Sequence, residues 1–360
     1  YDDASLSKTF VLDLEAADEV ADVADVLSQF TQREESTKYL SLLLGRTGFG
    51  AQIHQLQPHI AKLSTITALG LNTSILHRDY VKSLSDAKPV GFDFSFVLQS
   101  ILAPPPMTCL TELNLSHNFL RAEGAVQLQS ILQYNSLLTS LDLSCNDFFC
   151  KGLPPIIEAL STVCTHLRAL DLSGNWIACQ GVEALAPVFE ANTAILALHL
   201  AQNGIASPGC LHLSHSMQKA AMSNLQSLSL LHNRIDPLAQ KYLFPAITTS
   251  SSLTSLEGLE GGTLGVFYEY IVGKIRAVQK HVPMPTPEFV TVMNLSQAAL
   301  TAFPMVLLEL KNLEELDVSG NNLKQLPYIE LCALPHLALL ECHANPDLMY
   351  PSSDVIKEGG

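Results

Sequence analysis

The chain has 360 residues, 48% hydrophobic and 15% charged, with a formal net charge of −15, ample apolar material for a packed core and a poor composition for a disordered chain. Ten of the first 35 residues are Asp or Glu against Lys8 and Arg33, so over half of the excess charge sits at one end. Such a surface repels a phosphate backbone, no apolar run reaches the roughly 18 residues of a membrane span, and no signal peptide opens the sequence; nucleic acid and membrane are therefore not expected partners.

The first residue is Tyr1 rather than Met, which points to a piece of a longer protein. Eight cysteines (109, 145, 150, 164, 179, 210, 332 and 342) are unevenly scattered and do not bunch at either end. They read as reduced thiols packed as small hydrophobes, which suits a cytoplasmic protein.

In chain order, "TFVLDL" from Thr9 reads as a short strand, "EAADEVADVADVLSQF" (Glu15 to Phe30) as an acidic helix, and "TKYLSLLL" from Thr37 as a second strand. "ITALGLNTSIL" (Ile66 to Leu76) begins a fuller line, L-x-x-L-x-L-x-x-N-x-L, with Ser74 in the Asn place. A stretch between His77 and about Asp93 breaks the count and reads as an insertion. Five clean copies follow: Leu110, Leu113, Leu115, Asn118, Leu120; Leu138, Leu141, Leu143, Asn146, Phe148; Leu167, Leu170, Leu172, Asn175, Ile177; Ile195, Leu198, Leu200, Asn203, Ile205; and Leu225, Leu228, Leu230, Asn233, Ile235. Their starts lie 28, 29, 28 and 30 residues apart, and a fixed period of this size means stacked structural units.

Each position has a physical job. L-x-L alternates with period two, so one short strand turns both leucines inward and the residue between them outward. The Asn amide satisfies backbone groups of the bend that follows. Gly124, Gly152, Gly181 and Gly209 recur 14 residues after each start, and apolar pairs four apart (Leu128/Leu132, Ile156/Leu160, Leu185/Phe189, Leu213/Met217, Leu243/Ile247) predict an amphipathic helix. A unit of strand, turn and helix cannot bury its own apolar face, so the copies must stack.

The pattern then changes. "LTSLEGL" from Leu253 loses its Asn and runs into Gly261-Gly262. Phe267, Ile271, Ile275 and Val278 form a helical stripe that ends before Pro283, Pro285 and Pro287. It reads as a helix plugging a junction between two repeat geometries, with a partner-binding helix as the alternative. Three units with steps of 23 and 24 residues close the chain, starting at Val290, Leu313 and Leu337, with "LTAFP" and "LKQLP" in the first two.

These motifs resemble the leucine-rich-repeat superfamily. Residues 1–260 are similar to its ribonuclease-inhibitor type, 261–287 form the junction helix and Pro-rich linker, and 288–360 are similar to the short typical type. The resemblance implies an α/β solenoid, a curved horseshoe with a parallel sheet on its concave face and helices on its convex face, flatter in the short-repeat part, where a tighter turn or extended segment replaces the helix.

Catalytic signals are weak. "GRTGFG" (Gly45 to Gly50) and "GLEGGTLG" (Gly258 to Gly265) lack the Lys-Ser/Thr that holds phosphate and metal. No G-x-S-x-G elbow is present, and the pairs Cys164/His166 and Cys342/His343 have no second pair at ligand spacing. No enzyme, cofactor or metal is expected. The sequons at Asn72, Asn114 and Asn294 read as accidental, the latter two lying within strands.

The outward column reads Asn114, Asp142, Asp171, His199, Ser229, Asn294, Asp317 and Glu341. It is polar, mildly acidic and small, which suits a large protein surface better than a small molecule. Phe119, Phe149 and Trp176 lie on the ascending rim, either as binding anchors or packed between loops. The expected function is a non-enzymatic protein-interaction scaffold, a subunit of a large intracellular assembly of cytoskeletal or ciliary kind. Two other readings stand beside it. One is a regulator of a small GTPase resembling the Ran GTPase-activating proteins, whose acidic tail after the repeats the closing "PSSDVIKEGG" does not match. The other is the sensor repeats of an innate-immune receptor.

Overall fold

The computed structural model describes residues 9–13, 39–43, 68–70, 110–118, 120–219, 222–259, 262–280 and 290–349. The expected helix at 15–30, the insertion at 77–93, the aromatic Phe119, the Pro-rich linker and residues 350–360 lie outside them. Two compact units, residues 1–203 and 204–360, make up the chain.

The first unit holds seven parallel strands paired in chain order: β1 (Thr9–Asp13), β2 (Tyr39–Leu43), β3 (Ala68–Gly70), β4 (Glu112–Asn114), β5 (Ser140–Asp142), β6 (Ala169–Asp171) and β7 (Ala197–His199). The register matches the repeat, with Leu113, Leu141, Leu170 and Leu198 side by side. These leucines and their partners at 115, 143, 172 and 200 are buried, as the period-two reading requires. Helices α1 (Arg121–Leu132), α2 (Phe149–Thr162), α3 (Ala178–Ala184) and α4 (Ala186–Ala191) bury the apolar pairs predicted for them. α3 and α4 are one helix interrupted at Leu185, just before Pro187, whose ring removes a donor and crowds the preceding turn.

The glycine column also has a cause. Gly124, Gly152 and Gly181 sit in the first helical turn, each N–H bonded to the carbonyl of the apolar residue four earlier. A Cβ at Gly181 would stand 2.5 Å from that of Ile177, and one at Gly124 2.8 Å from that of Leu120. Only hydrogen fits.

Buried asparagines then tie each copy to the next. Asn146 Nδ2 donates to Leu143 O and to Leu115 O of the preceding copy, both at 2.9 Å, and its own N–H donates to Asn175 Oδ1 at 3.0 Å. Asn175 repeats the pattern, and Asn203 Nδ2 likewise reaches back to Leu172 O at 2.9 Å. The bend before each Asn requires a left-handed residue, filled by His117 (φ 61°), Cys145 (φ 55°) and Gln202 (φ 54°) as well as Gly174 (φ 68°). The non-glycine cases cost about 1 kcal/mol each, which the ladder's hydrogen bonds offset. A second ladder, not foreseen, runs along the helix C-termini: Asn135 and Asn192 accept from Leu110 N–H and Leu167 N–H, and Cys164 between them in the repeat donates Sγ–H to Leu132 O and Asn135 O at 3.4 Å.

The second unit contains α5 (Ser207–Met217), β8 (Ser227–Ser229), α6 (Pro237–Thr249), β9 (Ser255–Glu257), α7 (Gly262–Gln279), β10 (Val292–Asn294), β11 (Glu315–Asp317), α8 (Tyr328–Cys332) and β12 (Leu339–Glu341). β8 pairs with β9, and β10, β11 and β12 form a three-stranded parallel sheet. Where the step shortens, the long helix gives way to a 3-10 turn at Met305–Glu309 and to the five-residue α8, the tighter connection that the period predicts. Gly258 (φ +88°) replaces the second inward leucine of its copy because a Cβ there would lie 2.4 Å from the backbone of Leu230.

α7 lies where a helix was expected, and its described apolar side chains are covered. Phe267 stacks on Phe244 at 5.7 Å, and Tyr268 donates its hydroxyl to Gln240 O. Lys274 pairs with Glu309. Phe267, Tyr268 and Ile271 are buried within this unit, so that face is packing surface rather than free docking surface. No helix among the described residues is long and apolar enough to cross a membrane.

Candidate functional site

The outward column occupies the last position of each strand, and the strand end explains its chemistry. Asn114 Oδ1 accepts from the N–H and the hydroxyl of Ser116 at 2.9 and 2.8 Å. Asp142 does the same for Ser144 at 3.0 and 2.8 Å, Asn294 for Ser296 at 3.1 and 2.8 Å, and Asp317 for Ser319 at 2.9 and 2.6 Å. Asp171 Oδ1 takes the N–H of Ser173 at 2.8 Å. This is an Asx turn repeated from copy to copy. One carboxylate oxygen thus closes the bend, and the group is held facing outward. Asn114 and Asn294 end their strands rather than lying within them, and the amide nitrogen of Asn294 is engaged by Asp317.

Around Asp171 the column gains a partner. His199 Nδ1 lies 3.4 Å from Asp171 Oδ2. Burial raises the carboxyl's pKa, but the hydrogen bonds from His199 and Ser173, with the imidazole's charge, outweigh it and hold the group below its ordinary value. A depressed carboxyl contributes stability above the unfolded value and loses it as pH falls through the folded one. Asp171→Asn is therefore expected to flatten the acid limb of the melting-temperature curve below pH 3.8 while keeping the bend's acceptor. A circular-dichroism melt series from pH 7 to about pH 2 reads this out, and an unchanged acid limb would exclude the contact's role.

In the short-repeat sheet, Lys241 of α6 donates to Asn294 Oδ1 at 2.7 Å and to Ser296 O and Oγ at 3.0 Å, and Asn294 Nδ2 donates to Asp317 Oδ2 at 3.0 Å. Desolvation lowers the Lys241 pKa, partly countered by Asp317. Both Asp317 oxygens are therefore occupied within the fold. Glu341 is exposed. Ser229 is only 7% exposed, a short side chain in register with the longer Glu257, and offers a partner little surface.

The rim aromatics are more available than the column. Phe149 is 50% and Trp176 59% exposed, so neither is packed away between loops. Both hold left-handed backbones, φ 52° and 56°, which bulky residues adopt rarely and at a cost. At the position of Trp176 the preceding copy has Asp147 (φ 53°) and the following one Gly204 (φ 69°). Nothing in the bend demands an indole there.

Among the described residues no group of three His, Cys, Asp or Glu side chains is placed to hold a metal. None of the described cysteines is joined in a disulfide. Cys164, buried in the second ladder, has its thiol pushed up to about 12 by burial, so it is packing rather than chemistry.

Parts of the chain are similar to known proteins. A family profile described as "Leucine Rich repeat" matches residues 107–128, 134–149 and 163–186, and one described as "Leucine Rich Repeat" matches residues 312–334. The chain is similar to the human "NACHT, LRR and PYD domains-containing protein 13", 32% identical over 143 residues, which cover 39% of this chain and 13% of that protein's length. Among solved structures it is similar to the leucine-rich repeat-containing protein LegL7 from Legionella pneumophila, at 17% identity and TM-score 0.40 over 74% of this chain and 90% of that one. It is also similar to actin-binding site 2 of leiomodin-1, at 15% identity and TM-score 0.38 over 44% of this chain and 91% of that one.

Proposed function

Because the chain belongs to the leucine-rich-repeat superfamily, whose repeats are protein-interaction modules, we propose that this one holds a protein partner against the outward side of its first unit's sheet. Phe149 and Trp176 are the anchors, and Asp142, Asp171 and His199 are the polar surround. The observation that carries the reading is the pair of half-exposed aromatics in left-handed conformations beside an acidic column. Exposed aromatic area costs solvation, and a partner covering it recovers that free energy; the left-handed angles mark positions where a bulky residue is not chosen for the fold's sake. The column lacks a deep apolar pocket, which favours a broad protein surface over a small ligand.

The cellular setting belongs to the same proposal. Mixed repeat types without a catalytic constellation fit a non-enzymatic subunit of a large cytoplasmic assembly, cytoskeletal or ciliary. The sensor-repeat reading has in its favour the 32% identity to a protein named for NACHT, LRR and PYD domains.

Trp176→Gly separates binding from folding. Glycine accepts the left-handed angle without strain, so the melting temperature is expected to stay at or above wild type. Capture is expected to fall at least tenfold, a loss of about 1.4 kcal/mol or more. The measurement is quantitative mass spectrometry of proteins retained from native extract by wild type, Trp176→Gly and Phe149→Ala. A retained set identical across all three moves the site away from the rim. Charge on the column is tested by Asp142→Asn with Asp171→Asn, since asparagine keeps the Asx bond that lysine would break.

A further inference from the structure

β12 leaves one edge of its sheet unpaired among the described residues. Leu339 N–H donates to Glu314 O at 3.0 Å and Glu341 O accepts from Val318 N–H at 2.7 Å, so these groups face β11. By alternation the N–H and C=O of Leu340 between them face away. The core thins at the same place. Leu313, Leu316 and Leu323 of the preceding copy are 0–1% exposed, whereas Leu337, Leu340 and Leu348 are only half-buried, and Leu339 is 46% exposed. An unpaired edge over incompletely covered leucines is a template for another strand.

The sequence of that edge fits itself. Laid antiparallel about Leu340, two copies of Leu339-Leu340-Glu341 place Leu340 opposite Leu340 of the second copy. That pair exchanges both hydrogen bonds. Glu341 then stands opposite Leu339 of the second copy, and no carboxylate meets another. We propose that β12 is a self-association edge on which a second copy of this chain docks antiparallel about Leu340. The pairing is two-fold and closed, so it stops at a dimer.

Sedimentation equilibrium of the 1–360 chain tests it. A monomer–dimer equilibrium is expected that tightens from ~50 to ~500 mM salt, because each copy carries a net charge of −15 and salt screens their repulsion. Leu339→Glu sets carboxylate against carboxylate twice per dimer and is expected to weaken association at least tenfold. Leu339→Lys meets Glu341 of the second copy and is expected to leave association equal or tighter. Position 339 is already exposed, so circular dichroism should match wild type in both. A monomer at every concentration overturns the proposal, including one whose edge is covered by residues 350–360 or retained for another protein. So does a dimer indifferent to both substitutions, or one that Leu339→Lys weakens as much as Leu339→Glu.

Discussion

Leu172→Asp is expected to unfold several repeats together. Leu172 is fully buried between the neighbouring copies of the stack, its N–H bonded to His199 O at 2.9 Å and its carbonyl accepting from Asn175 and Asn203 at 2.9 Å. The substitution loses about 2–3 kcal/mol of leucine burial and places a carboxylate where it has no cationic partner, a further penalty of several kcal/mol. Together these approach the whole stability of a typical domain, about 5–15 kcal/mol. Each copy covers its neighbours' leucines, so the damage spreads along the stack. Leu143→Asp should behave alike. Thermal denaturation followed by circular dichroism is the measurement, and a melting temperature within a degree or two of wild type would refute the register.

Asn175→Ala is expected to give the second-largest loss, about 3–5 kcal/mol, although it removes little apolar area. The amide serves Leu143 O and Leu172 O at 2.9 Å and accepts the Asn146 N–H at 3.0 Å. Deletion leaves the Asn146 N–H unmet, at about 1–3 kcal/mol, and takes one of two donors from each carbonyl, at about 0.5–1.5 kcal/mol apiece before relaxation, since Leu143 O keeps Asn146 and Leu172 O keeps Asn203. Urea denaturation of the variant and wild type gives the comparison, and equal midpoints would mean that the ladder carries no free energy between copies.

The leucine spacing made the strands, their register and the buried helix faces legible, because a period of two and a spacing of four are properties of local geometry. The step from 28–30 to 23–24 residues likewise gave the loss of the long helix, since fewer residues cannot both return the chain and build three turns. The Asn column was legible in kind, as a bend residue. Its bonds to the preceding copy were not, because they depend on how close two bends stack. The ladder of Asn135, Cys164 and Asn192 escaped notice because cysteine and asparagine share no propensity, only a place near one pair of backbone carbonyls.

The candidate site divides along the same line. The sequence by itself determined which residues point outward at each strand end and that they are small and acidic, because alternation alone fixes the side a residue takes. Only the tertiary structure decided that Asp142, Asp171 and Asp317 each spend one oxygen on their own bend, that Ser229 is buried, and that Phe149 and Trp176 stay half-exposed with left-handed backbones. Exposure and hydrogen-bond occupancy belong to the packing of neighbouring copies, and a single copy's pattern contains no measure of the distance between them.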